Sequence, residues 1–200
     1  MYLPAHFEQH DVGALHALMH ERPLATLVVE TPDGPTADLL PLMLGDGART
    51  LQGHVARANP LWRHADGTRV LAVFSGPEAY VSPNWYASKR EHGKVVPTWN
   101  YTMVQARGTL RAVHDAPWLR TLVGRLTERH EAAQARPWSV ADAPDDYVQQ
   151  MLRAIVGIEI TLESLRGKWK VSQNRSAADR AGVVEGLGDR AMAALVATQR

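Results

Sequence analysis

Alternation of apolar and polar positions is the strongest pattern in the first part of the chain, and it predicts β-strands. In residues 102–113, TMVQARGTLRAV, apolar side chains recur at every second position and polar ones fall between them. Residues 49–55 alternate in the same way, and apolar runs at 24–30, 36–44, 69–75 and 78–82 predict further strands. The sequences TPDGP and Gly76-Pro77 are typical of turns between consecutive runs.

The apolar period changes to that of helices at residues 12–21, 115–133 and 143–155, with Asp115 as the predicted cap of the second helix. Residues 156–165 return to a strand, and Ser176 is the predicted cap of a broken, glycine-containing helical tail. Strands with hairpin-length links favour an antiparallel barrel with peripheral helices over a doubly wound parallel sheet. We expect one domain over 1–175, with 176–200 as its helical C-terminal tail.

Composition is that of a soluble globular protein of 200 residues, 45% hydrophobic and 22% charged. The lack of cysteine excludes disulfides, thiolate metal sites and a cysteine nucleophile. No apolar run approaches the roughly 20 residues that span a bilayer, and the start MYLPAHFEQHD lacks the pattern of a signal peptide. We therefore expect a cytoplasmic protein without membrane contact. The net charge of +1 indicates no global attraction to nucleic acid.

Common catalytic and metal motifs are missing from the sequence. It contains no phosphate-binding P-loop, no dinucleotide fingerprint and no serine nucleophile elbow. The pairs His6/His10 and His16/His20 have helical i, i+4 spacing, but neither has an obvious third ligand. We therefore predict no metal site and name no catalytic residue.

Three segments beside predicted strand ends combine cations, amides and aromatic rings. They contribute, in order, His54, Arg57 and Asn59; Thr98, Trp99, Asn100 and Tyr101; and Lys168, Lys170, Ser172, Gln173, Asn174 and Arg175. A phosphate needs cations and hydroxyls, and a heteroaromatic ring needs an apolar wall and amides at its edge. If KWKVSQNR (168–175) continues as a strand, Lys168, Lys170, Ser172 and Asn174 share one face. Each segment alone also fits a solvated basic loop, and spacing does not name the ligand.

Five stretches occur in an order that resembles the PaiB-type family, the FMN-binding negative transcriptional regulators. They are MYLPAHF, HVARANPLW, YVSPNWY, VPTWNY and KWKVSQNR with the following DRAGVVEGL, and they extend from Met1 to about Leu187. The resemblance implies a six-stranded antiparallel FMN-binding split β-barrel with flanking helices, related to pyridoxamine phosphate oxidases and flavin reductases. It also implies a homodimer that binds FMN in grooves made by both subunits.

The same resemblance implies roles for nine residues. His54, Arg57 and Asn59 would grip the FMN phosphate and ribityl chain. Thr98, Trp99 and Asn100 would line the flavin ring or the partner's side of it. Lys168, Gln173 and Arg175 would close the site. Oxidase relatives carry an Arg and a Lys close together on adjoining strands, whereas QGHVARANP shows no such pair, so oxidase activity is not implied.

Three functions follow from these expectations. The first is an FMN-binding regulator with redox- or metabolite-linked repression, in which the basic segment from Lys168 to Arg180 is the candidate for DNA contact. The second is an FMN-dependent oxidoreductase of the flavin reductase or oxidase type without direct DNA binding. The third is a haem-binding split barrel with one of the scattered histidines as axial ligand.

Overall fold

The structure is a computed structural model of the chain and describes residues 1–199. Eight strands form one sheet within this range: β1 (Glu8–Gln9), β2 (Leu24–Thr31), β3 (Gly34–Pro41), β4 (Met43–Leu44), β5 (Thr50–Ala56), β6 (Arg69–Val81), β7 (Thr98–Val113) and β8 (Ile155–Lys170). The strand order is β3-β2-β6-β7-β8-β5-β4, and β1 pairs with β8. β2 is antiparallel to β3 and β6, and β8 is antiparallel to β1 and β5.

The predicted architecture, mainly antiparallel β with helices, is confirmed, whereas the expected six-stranded barrel is wrong. The described residues form an open sheet of eight strands, with β3 and β4 at the two ends of its order. β1 and β4 have two residues each. Strands this short show no alternation, so a pattern of polar and apolar positions does not reveal them.

Gly76-Pro77 lies inside β6 rather than in the predicted turn. A methyl group on Gly76 would collide with the Thr102 hydroxyl and would come within 2.7 Å of Leu18 Cδ1. The glycine therefore permits close packing inside a continuous strand, and the two predicted strands at 69–75 and 78–82 are one.

Seven α-helices lie within residues 1–199: α1 (Val12–Glu21), α2 (Leu61–Ala65), α3 (Ser88–His92), α4 (Ala116–Glu131), α5 (Asp145–Arg153), α6 (Ala177–Leu187) and α7 (Ala191–Ala197). The two predicted caps are confirmed, because Trp118 N donates to Asp115 Oδ1 at 2.7 Å and Asp179 N donates to Ser176 Oγ at 3.1 Å. In the described part of the chain, every helix is too short or too polar to cross a membrane.

The chain divides into two compact units. Unit 1 contains residues 1–18, 74–105 and the described chain from 166 onward; unit 2 contains 19–73 and 106–165. The core of unit 1 packs the end of β6 and the turn after β8 against α6 and α7, through Val81, Val171, Val183 and Met192 among others. In unit 2, α4 and α5 pack on each other through Leu119, Val148 and Leu152.

Candidate functional site

Three cations of unit 1, Lys168, Lys170 and Arg175, lie at and just beyond the end of β8; we call them the cationic cluster. Lys170 Nζ donates to the Trp99 carbonyl oxygen at 2.6 Å and to the Thr98 hydroxyl. Lys168 is buried, and its Nζ donates to the Tyr2 carbonyl oxygen at 3.1 Å. Both lysines therefore make hydrogen bonds to uncharged oxygens, which leaves their positive charge without a carboxylate partner.

A tight turn follows Lys170 and brings Arg175 into the cluster. Ser172 adopts left-handed backbone geometry, with a φ of 66°. The Gln173 side chain holds this turn, because its Oε1 accepts from Val171 N at 2.8 Å and its Nε2 donates to the Trp169 carbonyl oxygen at 2.5 Å. The expectation of a continuous strand over 168–175 is therefore wrong beyond Lys170, since a left-handed residue interrupts the alternation of faces.

A buried polar pair joins the turn to β7. Asn100 Nδ2 donates to Ser172 Oγ at 2.9 Å, and the Ser172 hydroxyl lies 3.3 Å from Asn100 Oδ1. Both side chains are buried, so each satisfies the hydrogen-bonding capacity of the other. The pair brings the VPTWNY and KWKVSQNR segments together although they lie 72 positions apart in the sequence.

Like charges and burial disfavour the charged form of Lys170, whereas Arg175 also interacts with the Asp179 carboxylate. Burial lowers the pKa of the Lys170 ammonium, and the positive charges of Lys168 and Arg175 lower it further. Arg175 lies over the Tyr86 ring, with its guanidinium carbon 4.5 Å from the ring centre. Among the described residues, the ion pairs within 4.0 Å are Arg69–Glu163, Arg111–Glu159, Arg120–Asp145 and Arg125–Asp46, and none involves the cluster.

Exposed aromatic side chains of unit 1 include those of Tyr80 and of Trp99, whose carbonyl oxygen binds Lys170. Trp99 is 54% exposed, Tyr80 is 45% exposed, and their rings meet edge to face at 5.9 Å. Tyr80 did not stand out in the sequence, although its exposed position between buried Ala79 and Val81 on β6 follows the strand period. Cations, the Thr98 hydroxyl and an exposed aromatic wall are the groups that FMN requires, so the residues present fit this cofactor.

The first predicted segment lies in unit 2, where Arg57 and Asn59 bind the protein itself. Arg57 Nε donates to the Arg153 carbonyl oxygen and Nη2 to the Ile155 carbonyl oxygen, both at 2.7 Å. Asn59 Oδ1 accepts from Leu61 N at 2.9 Å at the start of α2, and its Nδ2 donates to Asp38 Oδ2 at 3.3 Å. These contacts hold the junction of α5 with β8 and the start of α2.

His54, on β5, lines a pocket of unit 2 that is otherwise surrounded mostly by apolar side chains. Its Nδ1 is buried and has no hydrogen-bond partner in the described structure. Burial lowers the pKa of the imidazole, which favours its neutral form. Of the nine residues expected at one site, the structure thus places His54, Arg57 and Asn59 in unit 2 and the other six in unit 1.

Comparison with known proteins agrees with an FMN-binding assignment. A family model described as "Putative FMN-binding domain" matches residues 1–164. An uncharacterized protein of Aspergillus fumigatus is 33% identical, over 94% of this chain and 90% of its own length. The protease synthase and sporulation protein PAI 2 of Bacillus subtilis is 32% identical, over 94% of this chain and 89% of its own.

Solved structures share the fold at low sequence identity. The flavocytochrome Anf3 of Azotobacter vinelandii superposes with a TM-score of 0.61 and 13% identity, over 82% of this chain and 69% of that one. The FAD and heme binding protein of Mycobacterium smegmatis superposes with a TM-score of 0.60 and 15% identity, over 82% of this chain and 73% of that one. With a family match over most of its length and relatives above 30% identity, the chain belongs to the PaiB-type family of FMN-binding proteins, and FMN is its cofactor.

Proposed function

We propose that the chain is an FMN-binding homodimer of the regulator class and that the cationic cluster holds the phosphate of the flavin. The observation that carries the proposal is the convergence of Lys168, Lys170 and Arg175, which form no ion pair within 4.0 Å among the described residues. A phosphate dianion would compensate this charge and accept charge-assisted hydrogen bonds, which are the strong kind.

The other unit 1 residues have distinct roles in this proposal. Thr98 adds a hydroxyl beside Lys170, and Trp99 offers an exposed wall for the ring. Asn100 and Gln173 act through the turn, because their hydrogen bonds set where Arg175 lies. For His54, Arg57 and Asn59, direct cofactor contact rests on the family resemblance alone, and the hydrogen bonds of Arg57 and Asn59 within the protein support structural roles for those two residues. FMN, when bound, supplies the redox chemistry.

The homodimer is supported by exposed apolar surface near the cluster. Trp99, Tyr80, Val96 and Tyr2 all expose large side chains in unit 1. Trp99 and Tyr80 are in contact, and exposed apolar groups that gather in this way mark interaction surfaces. A second copy covering Trp99 and Tyr80 would also enclose a flavin ring that stacks there.

The proposal assigns the segment from Lys168 to Arg180 to the flavin rather than to DNA. Lys168 is buried, Lys170 binds Thr98 and Trp99, and Arg180 Nη1 donates to the Arg175 carbonyl oxygen at 2.7 Å. The following helix α7 also gives no support to DNA reading, because its sequence, AMAALVA, carries no side chain that could hydrogen-bond to the edge of a DNA base. We propose that redox- or metabolite-linked repression depends on flavin binding. Salt-sensitive binding of the protein to its own upstream DNA in a gel shift would instead indicate that this segment contacts DNA.

Titration with FMN and riboflavin, followed by flavin fluorescence, tests the phosphate assignment. We expect Lys170→Gln to weaken FMN binding by roughly 10- to 100-fold, because a charge-assisted hydrogen bond is lost. Riboflavin lacks the phosphate, so its affinity should change little. Arg166→Gln is the matched control, since Arg166 is an exposed cation on the same strand. Equal loss of FMN and riboflavin binding in Lys170→Gln would contradict the phosphate assignment.

A further inference from the structure

Unit 2 contains an apolar pocket that is separate from the cationic cluster in both composition and chain segment. Its volume is about 240 Å³, and its lining comes from β5, α4, α5, the loop between the two helices and the start of β8. The lining side chains include Val123, Trp138, Tyr147, Met151 and Leu152, together with the imidazole of His54. Among residues 1–199, no lysine, arginine or carboxylate lines it, so an anionic cofactor finds no charge partner there.

Large apolar side chains are left exposed at this pocket. Trp138 is 48% exposed, Tyr147 is 52% exposed and Met151 is 40% exposed. Tyr147 and Met151 are four residues apart on α5, next to the buried pair Val148 and Leu152 that packs on α4. Position i, i+4 places Tyr147 and Met151 on one side of the helix. Exposed apolar groups that gather at a concave surface are typical of a ligand site.

His54 contributes an imidazole to the lining of this pocket. The imidazole is largely buried, and its Nδ1 has no hydrogen-bond partner in the described residues. A neutral imidazole has one nitrogen that donates and one that accepts a hydrogen bond. A ligand with a single hydroxyl, carbonyl or N–H group would match it, whereas a charged ligand would have to lose its hydration without compensation.

We propose that this pocket is a second binding site, for a small uncharged molecule of one substituted ring that carries one polar group bonded by His54. A dry cavity of about 150 Å³ holds benzene, so about 240 Å³ suits a substituted ring. The volume lies below the roughly 300–1,000 Å³ of pockets for drug-sized ligands, which disfavours haem or a flavin ring. None of the lining residues belongs to the cationic cluster.

Fluorine NMR on the FMN-saturated protein tests the proposal, with 4-fluorophenol and fluorobenzene as probes. We expect saturable line broadening of both probes. 4-Fluorophenol should bind roughly three- to tenfold more tightly, because it gains one hydrogen bond. His54→Leu should abolish this preference while circular dichroism confirms that the variant is folded.

A paired substitution on α5 locates the binding. Met151→Glu places a charge at the pocket and should weaken the binding of both probes by roughly tenfold or more. Gln150→Glu, on the exposed side of the same helix, should leave both affinities unchanged. Absence of saturable binding, or equal effects of the two variants, would overturn the proposal. If Met151→Glu instead dissociates an oligomer in sedimentation and leaves probe affinity unchanged, the pocket is a protein interface and the proposal fails.

Discussion

Asp179 shows how a single buried carboxylate organises unit 1. It is 4% exposed, and its two oxygens accept from Ser88 N and Ser88 Oγ, each at 2.9 Å. Burial alone would raise the pKa of Asp179, but the hydrogen bonds from Ser88 and the nearby charge of Arg175 outweigh it and lower the pKa. The carboxylate therefore ties the start of α3 to α6, close to the cationic cluster.

We expect Asp179→Ala to lower the free energy of unfolding by about 2 kcal/mol at pH 7, because two bonds to a charged group are lost. A carboxyl whose folded-state pKa is depressed stabilises the protein above its unfolded pKa of about 3.9, and this stabilisation disappears as the pH falls through the folded value. Urea unfolding at pH 7 and near pH 3 should therefore show a difference from wild type that shrinks in acid. Glu185→Ala, an exposed change on the same helix, is the control. A pH-independent difference would contradict this assignment.

At the scale of elements, two glycines of α6 allow this helix to approach the segment that contains Trp85. Gly182, Gly186 and Gly188 were expected to limit the order of the C-terminal tail. Instead, a methyl group on Gly182 would collide with the Trp85 carbonyl oxygen, and one on Gly186 with the Trp85 indole. Of the three, Gly188 alone has a positive φ, of 62°, which favours glycine, and it ends the helix. The first two glycines therefore allow α6 to pack directly on Trp85.

Two alanine substitutions should have opposite effects on stability. Gly186→Ala should lower the free energy of unfolding by about 1–3 kcal/mol, because overpacking against Trp85 exceeds the gain in helix propensity. Gly124→Ala in α4 meets no atom within 4 Å and should raise it by about 0.5–1 kcal/mol. Chemical denaturation of both variants gives the comparison. Stabilisation by both substitutions would show that α6 does not contact Trp85 as described.

At the scale of the whole molecule, the exposed aromatic pair Trp99 and Tyr80 bears on assembly. We expect the protein to sediment as a homodimer and Trp99→Ser to shift it towards monomer, because large aromatic side chains contribute most to interface free energy. Leu39→Ser is the matched control, since Leu39 is 63% exposed but lies in unit 2. A monomeric wild-type protein, or equal shifts in both variants, would contradict the proposed interface.

Local pattern alone predicted much of the secondary structure. The alternation at 102–113 corresponds to most of β7, the amphipathic run at 115–133 to α4, and the caps Asp115 and Ser176 are confirmed. These succeed because backbone periodicity and capping depend on residues a few positions apart. The strand β1, the separation of β4 from β3 within the predicted run 36–44, and the continuity of β6 were missed, because pairing with distant parts of the chain, rather than local period, creates them.

The sequence by itself determined that cations, amides and aromatic residues gather beside strand ends, that FMN is the cofactor of the family it resembles, and that thiol chemistry is absent. Only the tertiary structure decided which of these residues meet. It turned the chain at Ser172, placed Arg175 over Tyr86, and engaged Arg57 and Asn59 with the protein itself. The physical reason is that strand order and turn geometry depend on contacts such as Asn100–Ser172, 72 positions apart, which no local pattern encodes.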